Sequence, residues 1–140
     1  TKAVLAKTDF GVVGLSVCYD VRFPHLYRTL AQAGAEILTV PAAFAQTTGQ
    51  AHWHALLRAR AIENGAYILA PAQTGLHYTK DGKERRTYGH SLVVSPWGQV
   101  LIDAGVEAGV AYFDIDLAEV SRARSRVASL TQSRVFEGPQ

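Results

Sequence analysis

An apolar run that stops abruptly at the only cysteine constrains this chain more than any other feature. In Gly14-Leu15-Ser16-Val17-Cys18-Tyr19-Asp20-Val21-Arg22-Phe23-Pro24, residues 11–17 predict a buried strand with small residues at Gly11, Gly14 and Ser16, and Pro24 opens a helix. Cys18 therefore falls on the turn between strand and helix. A thiol there stands on a rigid base and faces backbone amides that can hold an oxyanion, which is the geometry of a nucleophile. Packing is the plain alternative, because free cysteine is among the most buried residue types. The polar cluster Tyr19, Asp20 and Arg22 favours chemistry, although Asp20 and Arg22 also fit an ion pair that locks the turn.

The rest of the first half alternates strand and helix. Residues 24–33 predict a helix with Leu26, Leu30 and Ala33 on one face, closed by Gly34; Ile37 to Val40 form a strand ended by Pro41. Residues 50–64 predict a longer helix with Trp53, Leu56, Leu57, Ala61 and Ile62 near helical spacing and Gly65 as C-cap, and Tyr67 to Ala70 form the next strand. This order requires an α/β fold, a sheet with covering helices. Further on, residues 88–95, 99–103 and 110–115 predict strands, divided by Ser95-Pro96-Trp97-Gly98 and by Gly105 to Gly109. A helix over about 117–127, with Asp116 as N-cap, precedes an aperiodic tail. The expected organisation is one domain over 1–127 and a tail over 128–140. Two early apolar strands need neighbours on both sides, so the first strand is expected to lack a partner within these residues. Together with the start at Thr1 and the absence of methionine, this predicts a piece of a longer protein.

Composition excludes several classes. Fourteen Lys and Arg against twelve Asp and Glu give a net charge of +2 with no basic stripe, so nucleic acid is not an expected partner. Arg122, Arg124 and Arg126 read as a solvated helix surface. One cysteine makes no internal disulfide, no stretch approaches the roughly 18 apolar residues of a membrane span, and no signal peptide is visible, so a reducing cytoplasmic setting is expected. His52 and His54 diverge on a helix and a lone cysteine is too few for structural zinc, so no metal is expected. Phosphate-loop and dinucleotide fingerprints are missing, so no cofactor is expected either.

Three other segments carry groups that can act. Pro41-Ala42-Ala43-Phe44 leads through Thr47, Thr48 and Gly49 to His52 and Trp53, leaving the end of a strand where ligands gather in open α/β sheets. Arg58-Ala59-Arg60-Ala61-Ile62-Glu63-Asn64 holds Arg60 and Glu63 at i, i+3, which also fits a surface pair. Tyr88-Gly89-His90-Ser91 either brings a histidine near the site or is a bonded strand end. A cysteine–histidine hydrolase with His52 or His90 as base is the alternative enzyme, without the sequence signatures of known types around Cys18.

These segments, in this order from about residue 10 to 116, resemble the nitrilase (carbon-nitrogen hydrolase) superfamily, and most of all the Nit-type amidases that hydrolyse deaminated glutathione. The resemblance implies a four-layer αββα sandwich, here its C-terminal half, that assembles into dimers or larger homo-oligomers. It implies a small carboxylate-bearing amide as substrate, with Cys18 attacking the carbonyl, ammonia leaving, and water hydrolysing the thioester. By the same likeness the Tyr19 amide helps hold the oxyanion, Arg22, Phe44 and Thr48 line the substrate pocket, and Asp20, His52, Trp53 and Glu63 support it. An ω-amidase is the near alternative, and a non-catalytic assembly module the distant one. The family's general-base glutamate and its lysine lie well before the cysteine. Here only seventeen residues precede Cys18, Lys2 and Lys7 stand too close, and the first glutamate is Glu36.

Overall fold

The computed structural model describes residues 2–139. One mixed six-stranded sheet organises them, built from β1 (Val4–Thr8), β2 (Gly11–Leu15), β3 (Ile37–Thr39), β4 (Tyr67–Ala70), β7 (Leu92–Val94) and β8 (Val100–Asp103) in that spatial order. The pairs β2/β3 and β3/β4 are parallel, and β1/β2, β4/β7 and β7/β8 are antiparallel. Helices α1 (Pro24–Gln32) and α2 (Gln46–Asn64) supply the crossovers, and α3 (Ala118–Arg126) follows β8. A separate antiparallel hairpin, β5 (Thr74–Tyr78) and β6 (Glu84–Tyr88), is inserted between β4 and β7.

Alternation along the strands sorts the core into two faces. Leu38, Ile68, Ala70, Leu92 and Val94 pack with Tyr27, Leu30, Trp53, Leu57 and Ala61 of α1 and α2. Val13, Ile37 and Tyr67 point the other way, against Val120 of α3. The chain thus provides a helix layer on a sheet layer, the α/β organisation expected. Gly65, at φ +51° in the left-handed region, ends α2 as anticipated, its amide reaching the Ala61 and Ile62 carbonyls.

Several expectations need correction. The first strand is not unpartnered: β1 lies along it from Val4 opposite Leu15 to Thr8 opposite Gly11, and β3 has a neighbour on each side. The ladder expected over 88–95 forms only at Leu92–Val94, because Tyr88 closes the hairpin and Gly89 and His90 both turn through positive φ. Residues 110–115 form no strand: they pair with no strand among the described residues, and Val110 and Tyr112 are exposed. Helix α2 begins four residues earlier than expected. The N-cap position of α3 is Leu117, but Asp116 does the capping from one residue before, its Oδ1 accepting the Ala118 N–H at 2.9 Å. Arg124 is not solvated: it is half-buried and donates to the carbonyls of Asn64 and Ala35.

The hairpin presses on α2 at Gly49, where an added Cβ would lie 2.3 Å from Cβ and Cγ of Tyr88. Alanine favours a helix over glycine by about 1 kcal/mol, but overpacking at such a distance costs about 1–3 kcal/mol. Gly49→Ala is therefore expected to lower stability in urea titrations, and to raise the proteolytic sensitivity of the 74–88 hairpin before that of the sheet.

Candidate active site

Sequence places Cys18 at the end of β2, and the fold fixes it there with hydrogen bonds on both sides of the turn. The Ser16 hydroxyl donates to Thr39 O at 2.7 Å and lies 2.6 Å from the Tyr27 hydroxyl. Burial pushes the Tyr27 phenol up to about 12, with the Ser16 bond pulling against it, so Tyr27 stays a neutral donor beneath the strand end. The Cys18 N–H donates to Pro41 O at 2.9 Å, and a 3₁₀ turn over Cys18–Arg22 follows. Asp20 closes this turn, its Oδ2 accepting the Val17 N–H at 2.9 Å. Among the described residues nothing takes up the Tyr19 N–H, which leaves one amide donor free beside the thiol.

Cys18 itself has φ +48°, and only it and His90 among the described non-glycine residues have positive φ. Such a conformation persists only where the surroundings over-determine it, as the bonds on both sides do here. The thiol is free and half-buried. It lines an open cleft of about 700 Å³ with Pro41, Ala43, Gln73, Arg85 and Ser91.

The other expected site residues gather around Phe44 rather than on the cleft wall. Phe44 is 4% exposed, with its ring 4.9 Å from that of the buried Trp53. The Arg22 guanidinium lies 5.1 Å over Phe44 and 5.5 Å over the exposed Tyr19 ring, and Nη1 is 3.4 Å from His52 Nδ1. Arg22 and Asp20 are therefore not an ion pair: one faces aromatic rings, the other caps the turn. Thr48 is half-buried and donates to Ala45 O at 3.3 Å, within its own helix start. Trp53 Nε1 donates to His90 O at 2.8 Å.

Glu63 stands apart. It is exposed and reaches Arg60 at 3.0 Å, near the far end of α2. Arg60 is the residue that matters to the turn: it is 5% exposed, its Nε donates to Val21 O at 3.0 Å, and its guanidinium lies 5.7 Å over Tyr27. The arginine of the pair is thus buried while Glu63 meets solvent, and the signal for Arg60 was present, since Trp53, Leu57, Arg60, Ala61 and Asn64 fall on one buried helical stripe. Arg85 and Gln73, which the sequence did not mark, reach the cleft from the hairpin and from the segment leading into it.

No imidazole among the described residues bonds the Cys18 sulfur, so the cysteine–histidine alternative gains no support. As expected, His52 and His54 point to different partners. His54 Nε2 and His90 Nδ1 instead share the Asp103 carboxylate at 3.0 and 2.9 Å. Burial works to raise the Asp103 carboxyl, but the Gly105 amide and the two imidazoles outweigh it and hold it below the usual carboxylate range. These three side chains are the group among the described residues able to hold a metal ion, and each is already hydrogen-bonded. No helix among the described residues is long and apolar enough to cross a membrane.

A family model for carbon-nitrogen hydrolases matches residues 2–125. A deaminated glutathione amidase of Synechocystis is 52% identical over 133 residues, 95% of this chain and 47% of that protein. The crystal structure of the NitFhit protein of C. elegans superposes with a TM-score of 0.84 at 46% identity, covering 91% of this chain and 30% of that one. An amidase of Nesterenkonia sp. AN1 has a TM-score of 0.70 at 32% identity over 94% of this chain and 47% of its own; in that mutant structure the acetamide moiety of fluoroacetamide is joined covalently to the active-site cysteine. The chain spans about half the length of the curated relatives it matches. Since the match runs through β1 to α3 and takes in the turn that bears Cys18 with the sheet that carries it, the chain belongs to the carbon-nitrogen hydrolase family.

Proposed function

We propose that the protein is an amidase that cleaves a small carboxylate-bearing amide, deaminated glutathione in particular, through a thioester on Cys18. The observation that carries this reading is the free thiol held at left-handed φ on the cleft, next to the unused Tyr19 N–H. The sulfur attacks the amide carbonyl, the Tyr19 amide helps hold the oxyanion, the amine departs, and water then releases the acid. Ammonia is the leaving group only from a primary amide. From deaminated glutathione, whose amide nitrogen belongs to a cysteinylglycine unit, that dipeptide leaves instead.

Arg22, over Phe44 and at the end of the turn that bears Cys18, suits the carboxylate of the acyl portion, since a guanidinium binds a carboxylate through parallel charge-assisted bonds. The glutamate base and the lysine that the family resemblance implies have no counterpart among residues 1–17, and the relatives are about twice as long. The proposal therefore concerns the full-length protein. A reducing cytoplasmic setting, supported by the free thiol, and assembly as a homodimer or larger, supported by kinship, belong to the same reading.

The test compares deaminated glutathione with α-ketoglutaramate as substrates of the full-length protein. Deaminated glutathione is expected to be favoured in kcat/KM by roughly tenfold or more, about 1.4 kcal/mol of transition-state binding. The reverse preference would make the protein an ω-amidase, and failure to cleave either would overturn the assignment.

A further inference from the structure

The hairpin contributes a cation to the cleft that the reading so far does not use. Along β6, Thr87 is buried against the body of the protein, and Arg85, two residues before it, shares its face while Arg86 points away. The strand is tied down along the segment after β3: Thr87 bridges Ala45, the Tyr88 N–H donates to Phe44 O, and Arg85 Nη2 donates to Ala43 O at 2.5 Å. These bonds bring the guanidinium to the wall of the cleft that holds Cys18. One of its N–H donors is used in this way, and the rest of the fork is open.

Arg85 is the arginine that lines the Cys18 cleft, and its charge is unpaired among the described residues. Arg60 pairs with Glu63, and Arg122 with Asp116 and Glu119, but among the described residues no carboxylate lies within ion-pair distance of Arg85. Arg22, over the Phe44 ring next along the chain from Ala43, has none either. Two uncompensated guanidinium groups, Arg85 on the cleft wall and Arg22 on the turn after Cys18, beside the consecutive residues Ala43 and Phe44, make a locally positive field that attracts an anion carrying more than one charge.

We propose that Arg85 is an anion subsite for a second carboxylate of the substrate, the one on the leaving-group side, while Arg22 holds the acyl-side carboxylate near the turn that bears Cys18. The inference rests on the amidase reading of the same cleft. It makes the preferred substrate a dicarboxylate amide, charged on both sides of the bond that breaks. Deaminated glutathione has that form; α-ketoglutaramate, with one carboxylate on the acyl side, does not.

The experiment measures Arg85→Ala and Arg85→Lys in the full-length protein with both substrates. Losing a charge-assisted, forked contact is expected to lower the ratio of kcat/KM for deaminated glutathione over α-ketoglutaramate by roughly 10- to 100-fold, mostly through KM. Lysine, a point charge without the planar fork, restores the ratio only in part. A merely structural role in seating the hairpin would depress both substrates alike and leave the ratio where it was, and that result overturns the proposal. So does an unchanged ratio with both activities intact, the behaviour of a solvated arginine.

Calorimetry of deaminated glutathione with Cys18→Ala, alone and combined with Arg85→Ala, separates this inference from the one beneath it. Binding that weakens roughly tenfold or more without Arg85 upholds the subsite even where the wild type cleaves neither amide, in which case the amidase reading alone falls. Absence of Arg85-dependent binding there defeats the subsite.

Discussion

Cys18→Ala is expected to reduce amide cleavage by the full-length protein by roughly 10⁴-fold or more, because removing a covalent nucleophile leaves only binding and oxyanion stabilisation. Cys18→Ser should be almost as inactive, since the hydroxyl is far less nucleophilic than the sulfur in the same place. The fold should hardly notice. The Cys18 N–H bond to Pro41 O is made by the backbone, and Asp20 continues to cap the turn. Mass spectrometry after an irreversible amide reagent should find the adduct on Cys18 in the wild type and on no residue in either variant. Full activity of both variants would remove Cys18 from the mechanism.

The backbone makes a further distinction among variants at that position. At φ +48° any side chain is strained, so Cys18→Gly should melt no lower than Cys18→Ala, and be more stable by up to about 1 kcal/mol, while being equally inactive. A lower melting point for glycine would mean that the left-handed geometry carries no strain.

Trp53→Ala should give the largest loss of stability, about 3–5 kcal/mol from cavity formation alone. The indole is fully buried, packs against Phe44, and among the described residues is the only donor to the His90 carbonyl. For a domain whose total stability is about 5–15 kcal/mol, this is a large share of the margin. Trp53→Phe keeps most of the apolar volume but orphans His90 O, so it should fall short of wild type by about 1–2 kcal/mol. Urea midpoints of the three proteins check the order; equal midpoints for Phe and Ala would show that the hydrogen bond, not the packing, is what Trp53 supplies.

How far the sequence could be read depended on where each residue's partner lay. The elements from Val12 to Ala70 were legible because apolar period, Pro24 and Gly65 are local signals that agree with the final packing. Strand β1 was missed because Val-Leu-Ala-Lys-Thr is short and half-polar; only its pairing with β2 makes it a strand. The 74–88 hairpin, rich in Lys, Arg and Thr, has no apolar run, and its Asp81-Gly82 turn was the one cue available. Residues 110–115 erred in the other direction, with strand composition but no strand pairing.

The position of Cys18 on the turn after β2 was legible because strand, turn and helix start are contiguous. Arg60 and Arg124 were read as surface charges because the carbonyls they satisfy, those of Val21 and Ala35, lie dozens of residues away in the chain. Arg85 followed from neither composition nor spacing, since it reaches the cleft only through the tether of β6 to Phe44 and Ala45.

Helix α2 touches both jaws of the cleft. Gly49 bears on Tyr88 of the hairpin, and Arg60, about 16 Å further along a rigid rod, grips Val21 in the turn that bears Cys18. The helix therefore works as a caliper, setting the gap between the sulfur and the hairpin to one length. Changes at its two ends should not combine as independent losses: a shift of the rod at Gly49 is delivered at Arg60, so a double-mutant cycle across the pair would measure how stiffly the gap is held.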